Sequence, residues 1–158
     1  NTGTNFDTKL SVYRGSCSGL TCIAGNDNLC GLQSSVTWTS SSGATYYILV
    51  HGFFFETGDF VLSISGGTST PQPSSPVASS PTPQPTPQPA PQPVGGSNDL
   101  CSSAQAVSPG TQVSGSTSGA TIDGLTFCGT FISAPGVWYT LTGTGGSMTV
   151  DTCNTGTN

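Results

Sequence analysis

The side chains of this 158-residue chain that could do chemistry are few: six cysteines, one histidine and seven carboxylates. The cysteines, Cys17, Cys22, Cys30, Cys101, Cys128 and Cys153, include no C-x-x-C pair, and His51 is far from all of them in sequence, so a zinc site is disfavoured. Six cysteines in a chain with so little charge predict three disulfides and an oxidising, extracellular setting. Their pairing is open at this point.

Catalytic constellations fare poorly. A nucleophilic triad at His51 would need a nucleophile and an orienting acid, and the many serines lack the G-x-S-x-G context of a nucleophile elbow. Paired carboxylates would serve glycoside chemistry, but Asp7, Asp27, Glu56, Asp59, Asp99, Asp123 and Asp151 mostly stand beside Gly, Asn or Thr, where Asp makes turns and caps. The expectation is a protein that is not an enzyme, with no catalytic residues. Calcium is the cofactor worth considering, because Asp7, Asn26 and Asp27, with Asn28, offer loop oxygens that suit a hard cation. Trp38, Trp138, Tyr46, Tyr47 and Tyr139 would make a sugar-stacking platform if exposed. The alternation around Trp38 and Trp138 argues for core packing instead.

Composition narrows the partners. Two basic residues against seven acidic ones, a net charge of -5, cannot neutralise a run of phosphates or an anionic membrane surface, so nucleic-acid and membrane binding are not expected. No apolar run reaches membrane-spanning length. Without an initiating Met or a signal peptide, the chain reads as a processed or excerpted piece.

The elements that must position these residues fall on either side of a linker. Ten of the twelve prolines lie between Pro71 and Pro93, in PQPSSPVASSPTPQPTPQPAPQP. Alternating Pro fixes φ and removes backbone donors, so the expectation is a polyproline II spacer, about 70 Å long if fully extended. The tract also resembles mucin-like O-glycosylated segments and the hydroxyproline-rich glycoproteins of algae and plants. That resemblance makes Ser74, Ser75, Ser79, Ser80, Thr82, Thr86 and the prolines Pro83, Pro85, Pro87 and Pro89 the candidate sugar attachment points.

The two ends repeat each other. Residues 1–5 read NTGTN and residues 154–158 read NTGTN again, a period of 154 − 1 = 153 residues. Joined through the overlap, they give VDTCNTGTNFDTKLSVYRGSC, a continuous stretch of strand, loop and strand. The chain therefore reads as one period of a tandem repeat, cut out of frame. Residues 1–66 are the C-terminal half of one domain, 67–96 the Pro-rich linker, and 97–158 the N-terminal half of the next. A unit of about 120 folded residues suffices for one β-sandwich, and neither half is expected to fold alone. Separate chains joined by strand complementation are the alternative to one continuous polypeptide.

In repeat order, β-branched and aromatic alternation marks strands near 112–116, 137–141, 148–152, 9–13, 20–24, 35–39, 45–51 and 59–64, with Gly, Asn and Ser at the turns. Val36 and Trp38 share a face, as do Tyr46, Ile48 and Val50, and Phe60, Leu62 and Ile64; these are the expected inward rows. The fold class is all-β, an antiparallel β-sandwich of about eight strands with a jelly-roll character.

Read in this order, NDLCSSAQAV, GVWYTLTGTG, VDTCNTGTNFDTKLSVYRGSC, GND, SSVTWTSSSGATYYILVHGF and TGDFVLSI resemble the pre-peptidase C-terminal (PPC-like) β-sandwich domains. The resemblance implies a secreted, often repeated accessory domain without catalysis of its own, in a family where some members bind calcium. Phe53, Phe54 and Phe55 depart from it, since small or polar residues are usual there. Consecutive aromatics at a turn cannot all enter one core, so they are the expected contact with a neighbouring repeat or the linker. For the disulfides, repeat order suggests Cys22 with Cys30 around the turn IAGNDNL, Cys153 with Cys17 across the strand at 9–13, and Cys101 with Cys128.

The function expected from all this is structural: a repeat of an extracellular or cell-surface filament, fibril or appendage whose partners are neighbouring copies in a head-to-tail polymer and covalent glycans. The alternatives are a calcium- or carbohydrate-binding adhesin module and an accessory domain of a secreted enzyme.

Overall fold

The computed structural model describes residues 3–67, 97–125 and 127–153. The Pro-rich tract and its candidate glycosylation residues, Ser74 through Pro89, lie outside them, as do Asn1, Thr2 and Asn154–Asn158 of the repeated pentapeptide.

The described residues form a β-sandwich of nine strands: β1 (Thr8–Ser16), β2 (Gly19–Asp27), β3 (Ser35–Thr39), β4 (Thr45–Gly52), β5 (Asp59–Gly66), β6 (Gln105–Val107), β7 (Thr111–Ser116), β8 (Gly136–Thr142) and β9 (Ser147–Asp151). One sheet has the order β2-β1-β4-β8-β6 and the other β3-β9-β5-β7. Every pairing is antiparallel except β6 on β8. All eight expected strands are present. The ninth, β6, has three residues, too few for a period-2 pattern to register.

The inward rows read from alternation make the core. Leu10 and Val12 of β1, Tyr46, Ile48 and Val50 of β4, and Val137, Tyr139 and Leu141 of β8 face Val36, Trp38, Phe60, Leu62, Ile64, Met148 and Val150 across the sandwich. Burying side chains of this size contributes about 1.5–3 kcal/mol each, and it needs both ends of the chain. β9 lies between β3 and β5, and β8 lies beside β4, so 97–153 and 3–67 are interleaved in both sheets.

The five-stranded sheet is apolar on its outer face too. Tyr13, Leu49 and Trp138 pack there under Cys128 and Ile132, which belong to the long connection between β7 and β8. Among the contacts that hold this connection down, the Trp138 indole N–H donates to Asp123 Oδ1 (2.9 Å), and the Ser11 hydroxyl donates to the Cys128 carbonyl (3.1 Å). Gly25 of β2 makes the second approach possible, since a Cβ there would sit 1.8 Å from the Cys128 carbonyl oxygen. A second small core below a connection is why Trp138 is buried on the face opposite to Tyr139.

Candidate functional site

The cysteines are where the sequence reading needs correction. Three disulfides form as expected, but they pair Cys17 with Cys101, Cys22 with Cys128 and Cys30 with Cys153. The expected Cys22–Cys30 loop fails because β2 does not turn at 24; it runs extended to Asp27. Five strand residues span about 17 Å, and a disulfide needs Cα atoms within about 7 Å. Cys17 sits beyond the far end of β1 from Thr8, whose hydroxyl contacts Thr152 next to Cys153, so Cys153–Cys17 is out of reach as well. Cys128 is drawn over β2 instead of towards Cys101.

The resulting pattern has one rule: each bridge joins a cysteine of 3–67 to a cysteine of 97–153. A buried hydroxyl node reinforces the third bridge. Thr152 accepts at its carbonyl from Thr4 Oγ1 (2.8 Å), its hydroxyl lies 2.6 Å from that of Thr8, and its N–H donates to the Ser34 carbonyl (2.9 Å). Ser34 in turn donates its hydroxyl to the Thr8 carbonyl (2.6 Å). Buried hydroxyls are costly unless paired; those of Thr4 and Thr8 find Thr152 across the seam between the two segments, and that of Ser34 bonds within its own segment.

The aromatic rings proposed for sugar stacking are unsuited to it. Trp38, Tyr46 and Tyr139 lie in the core between the sheets, Trp138 in the outer cluster, and Tyr47 packs partly against that cluster. Burial raises the Tyr139 hydroxyl to a pKa of about 12 despite a hydrogen bond from Asn98.

The calcium candidates are scattered in role. Asn26 Oδ1 accepts from the Ser35 N–H (3.3 Å), and Asp27 pairs with the Lys9 ammonium at 3.3 Å. Asp7 lies close by, with its N–H donating to Glu56 Oε2 at 3.0 Å. Its carboxyl is raised above the usual range, first by burial and then by Asp27 and Glu56, with Lys9 offsetting them. Lys9 thus already supplies the positive charge of this cluster. Among the described residues, no group of three or more acidic, cysteine or histidine side chains is arranged to hold a metal ion. Asn26 is engaged with the backbone and Lys9 pairs with Asp27, while Asp7 Oδ1 and Asp27 Oδ1 are buried with no hydrogen-bond partner among the described residues.

His51 is fully buried, with Nε2 at 3.4 Å from Ser11 Oγ. Burial, then the charge on Lys9, pushes its pKa down to about 3, so it is neutral at ordinary pH. Its surroundings are those of a packed imidazole.

The Phe53–Phe55 turn is at the surface, as its sequence requires. Phe53 lies under Lys9, with the ammonium 4.6 Å from the ring centroid, while Phe54 and Phe55 are 61% and 74% exposed. Phe54 also holds a φ of 51°, a left-handed conformation that an aromatic residue rarely adopts. A second aromatic pair went unread in the sequence. Phe127 and Phe131 flank Cys128, stack edge to face at 5.1 Å, and are 57% and 69% exposed. The signal was the F-C-G-T-F spacing, in which Cys128 and Thr130 are buried and both rings stay outside. Four of the seven phenylalanines are therefore on the surface.

Comparison with known protein families, with curated proteins and with solved structures finds no match in any of the three.

Proposed function

We propose that this chain is one period of a structural, non-enzymatic tandem repeat in an extracellular filament, fibril or surface appendage, built of disulfide-closed sandwiches joined by glycosylated Pro-rich segments. The observation that carries this reading is the seam. All three disulfides and the Thr4–Thr8–Ser34–Thr152 node join the two segments that flank the linker. In a tandem array Thr157 repeats Thr4, so the hydrogen bond from Thr4 to the Thr152 carbonyl becomes a contact between residues five apart, which a short turn closes. The sandwich then reads naturally from 97 through 153 into the next copy of 3–67, with the linker as the joint between beads.

The rest of the surface supports a passive material. Charge is sparse, the strands are rich in hydroxyls, and the buried His51 is neutral. Similarity to PPC-like domains and to algal hydroxyproline-rich linkers belongs to the same reading. Immunogold labelling of the source with an antibody raised against the folded chain tests it. The expected result is label along extended extracellular fibres at a regular spacing. Label confined to a dispersed secreted protein, or hydrolytic activity in the purified material, would overturn it.

A further inference from the structure

Among the described residues, no strand pairs with the outer edges of β3 and β7 in the four-stranded sheet, and these two edges fit each other. At β3, the Ser40 N–H donates to Gly146 and the Thr152 N–H to Ser34, so the even-numbered residues bond to β9. Ser35, Thr37 and Thr39 turn their backbone groups away from the sheet. The Ser35 N–H is taken by Asn26, whereas among the described residues no hydrogen bond engages the N–H groups of Thr37 and Thr39. At β7, the Thr117 N–H donates to Gly58, so 111, 113 and 115 bond to β5, and Gln112, Ser114 and Ser116 point their backbone outward.

Edge strands are ordinarily blunted by charged side chains, Pro or bulges. Neither SVTWT nor TQVSGS contains a charge or a Pro, and SVTWT is rich in strand-forming residues. Direction and face also agree. Alternating antiparallel pairing makes β3 and β7 run oppositely, so a second copy in the same orientation sets its β3 antiparallel to β7 of the first. The outward backbone positions carry solvent-face side chains on both strands (Thr37 and Thr39; Gln112, Ser114 and Ser116), while Val36, Trp38 and Val113 face the sandwich interior. Pairing therefore sets hydroxyl rows beside hydroxyl rows and apolar rows beside apolar rows.

We infer that β7 of one copy pairs with β3 of a second copy, continuing the four-stranded sheet from unit to unit. The inference rests on the filament reading and names its contact surface. Each added unit offers the same free edge again, so the assembly is heterologous and open. Four strands at their usual spacing advance it by about 19 Å per unit.

Sedimentation velocity over a range of concentrations tests this with the full oxidised chain and two variants, Thr37→Pro and Ser114→Pro. Each removes an outward N–H that the fold does not use, a position where an edge strand tolerates Pro, and circular dichroism checks that the sandwich is retained. The expected result is an open series for the unaltered chain and a monomer for each variant alone. A one-to-one mixture of the variants should stop at a heterodimer, since each retains the edge the other lacks. Should either Pro variant fail to fold, the charge pair replaces it: Thr37→Lys with Ser114→Lys should block association and Thr37→Lys with Ser114→Glu restore it. An unaltered chain that stays monomeric, or a series that persists in both Pro variants, overturns the edge pairing. A fibre in the native material that is insensitive to either edge overturns this inference alone, whereas native material without any polymer removes the reading beneath it.

Discussion

At the scale of single residues, two side chains give measurable consequences of where the fold holds them. His51 is buried neutral, its pKa lowered from 6.5 to about 3. A depressed histidine pKa means the unfolded chain binds the proton first as pH falls. The contribution of the neutral imidazole is fully present above about pH 6.5 and is lost progressively as pH drops towards 3. Unfolding free energies from denaturant titrations between pH 7 and pH 4 should fall by up to about 1.4 kcal/mol per pH unit from this group. Asp7 and Asp123, whose carboxyls are raised by burial, act in the opposite sense, so the difference between the parent and His51→Asn isolates the histidine. Equal pH slopes in the two proteins would contradict this assignment. Phe54 is the other case. Its left-handed backbone costs about 1–2 kcal/mol in a residue with a side chain. Phe54→Gly should therefore leave the melting temperature unchanged or raise it while loosening association between units. A loss of stability without change in association would mean that the ring packs within its own unit.

At the scale of elements, the bridges make the linker dispensable for holding the sandwich together. Cleaving a site engineered between residues 68 and 96 leaves two pieces joined by three disulfides and by interleaved strands. The nicked chain should keep its strand signature and run as one species without reductant, then separate and unfold with it. Separation before reduction would refute the pairing. The elements also show what alternation can reveal. The rows of Val36 and Trp38, of Tyr46, Ile48 and Val50, and of Phe60, Leu62 and Ile64 are legible because one face is buried and the other wet. The pairing of the cysteines was not legible, because it depends on where β2 ends, and Ile23–Asp27 has the Gly and Asn content of a turn while forming strand. Trp138 and Tyr139 are adjacent and both buried, a pattern that simple alternation excludes and that arises because a connection covers the outer face. The aromatic pair around Cys128 escaped notice for the same reason.

At the scale of the whole molecule, the account rests on a period. The proposed period would account both for NTGTN at the two ends and for a seam that joins 3–67 to 97–153. The measurement that bears most directly on it is the denatured, reduced mass of the native material, taken before and after deglycosylation. A covalent tandem repeat predicts a species far above 15.8 kDa that survives reduction and shrinks on removal of sugar without approaching that value. A product near 15.8 kDa after reduction and deglycosylation would contradict it.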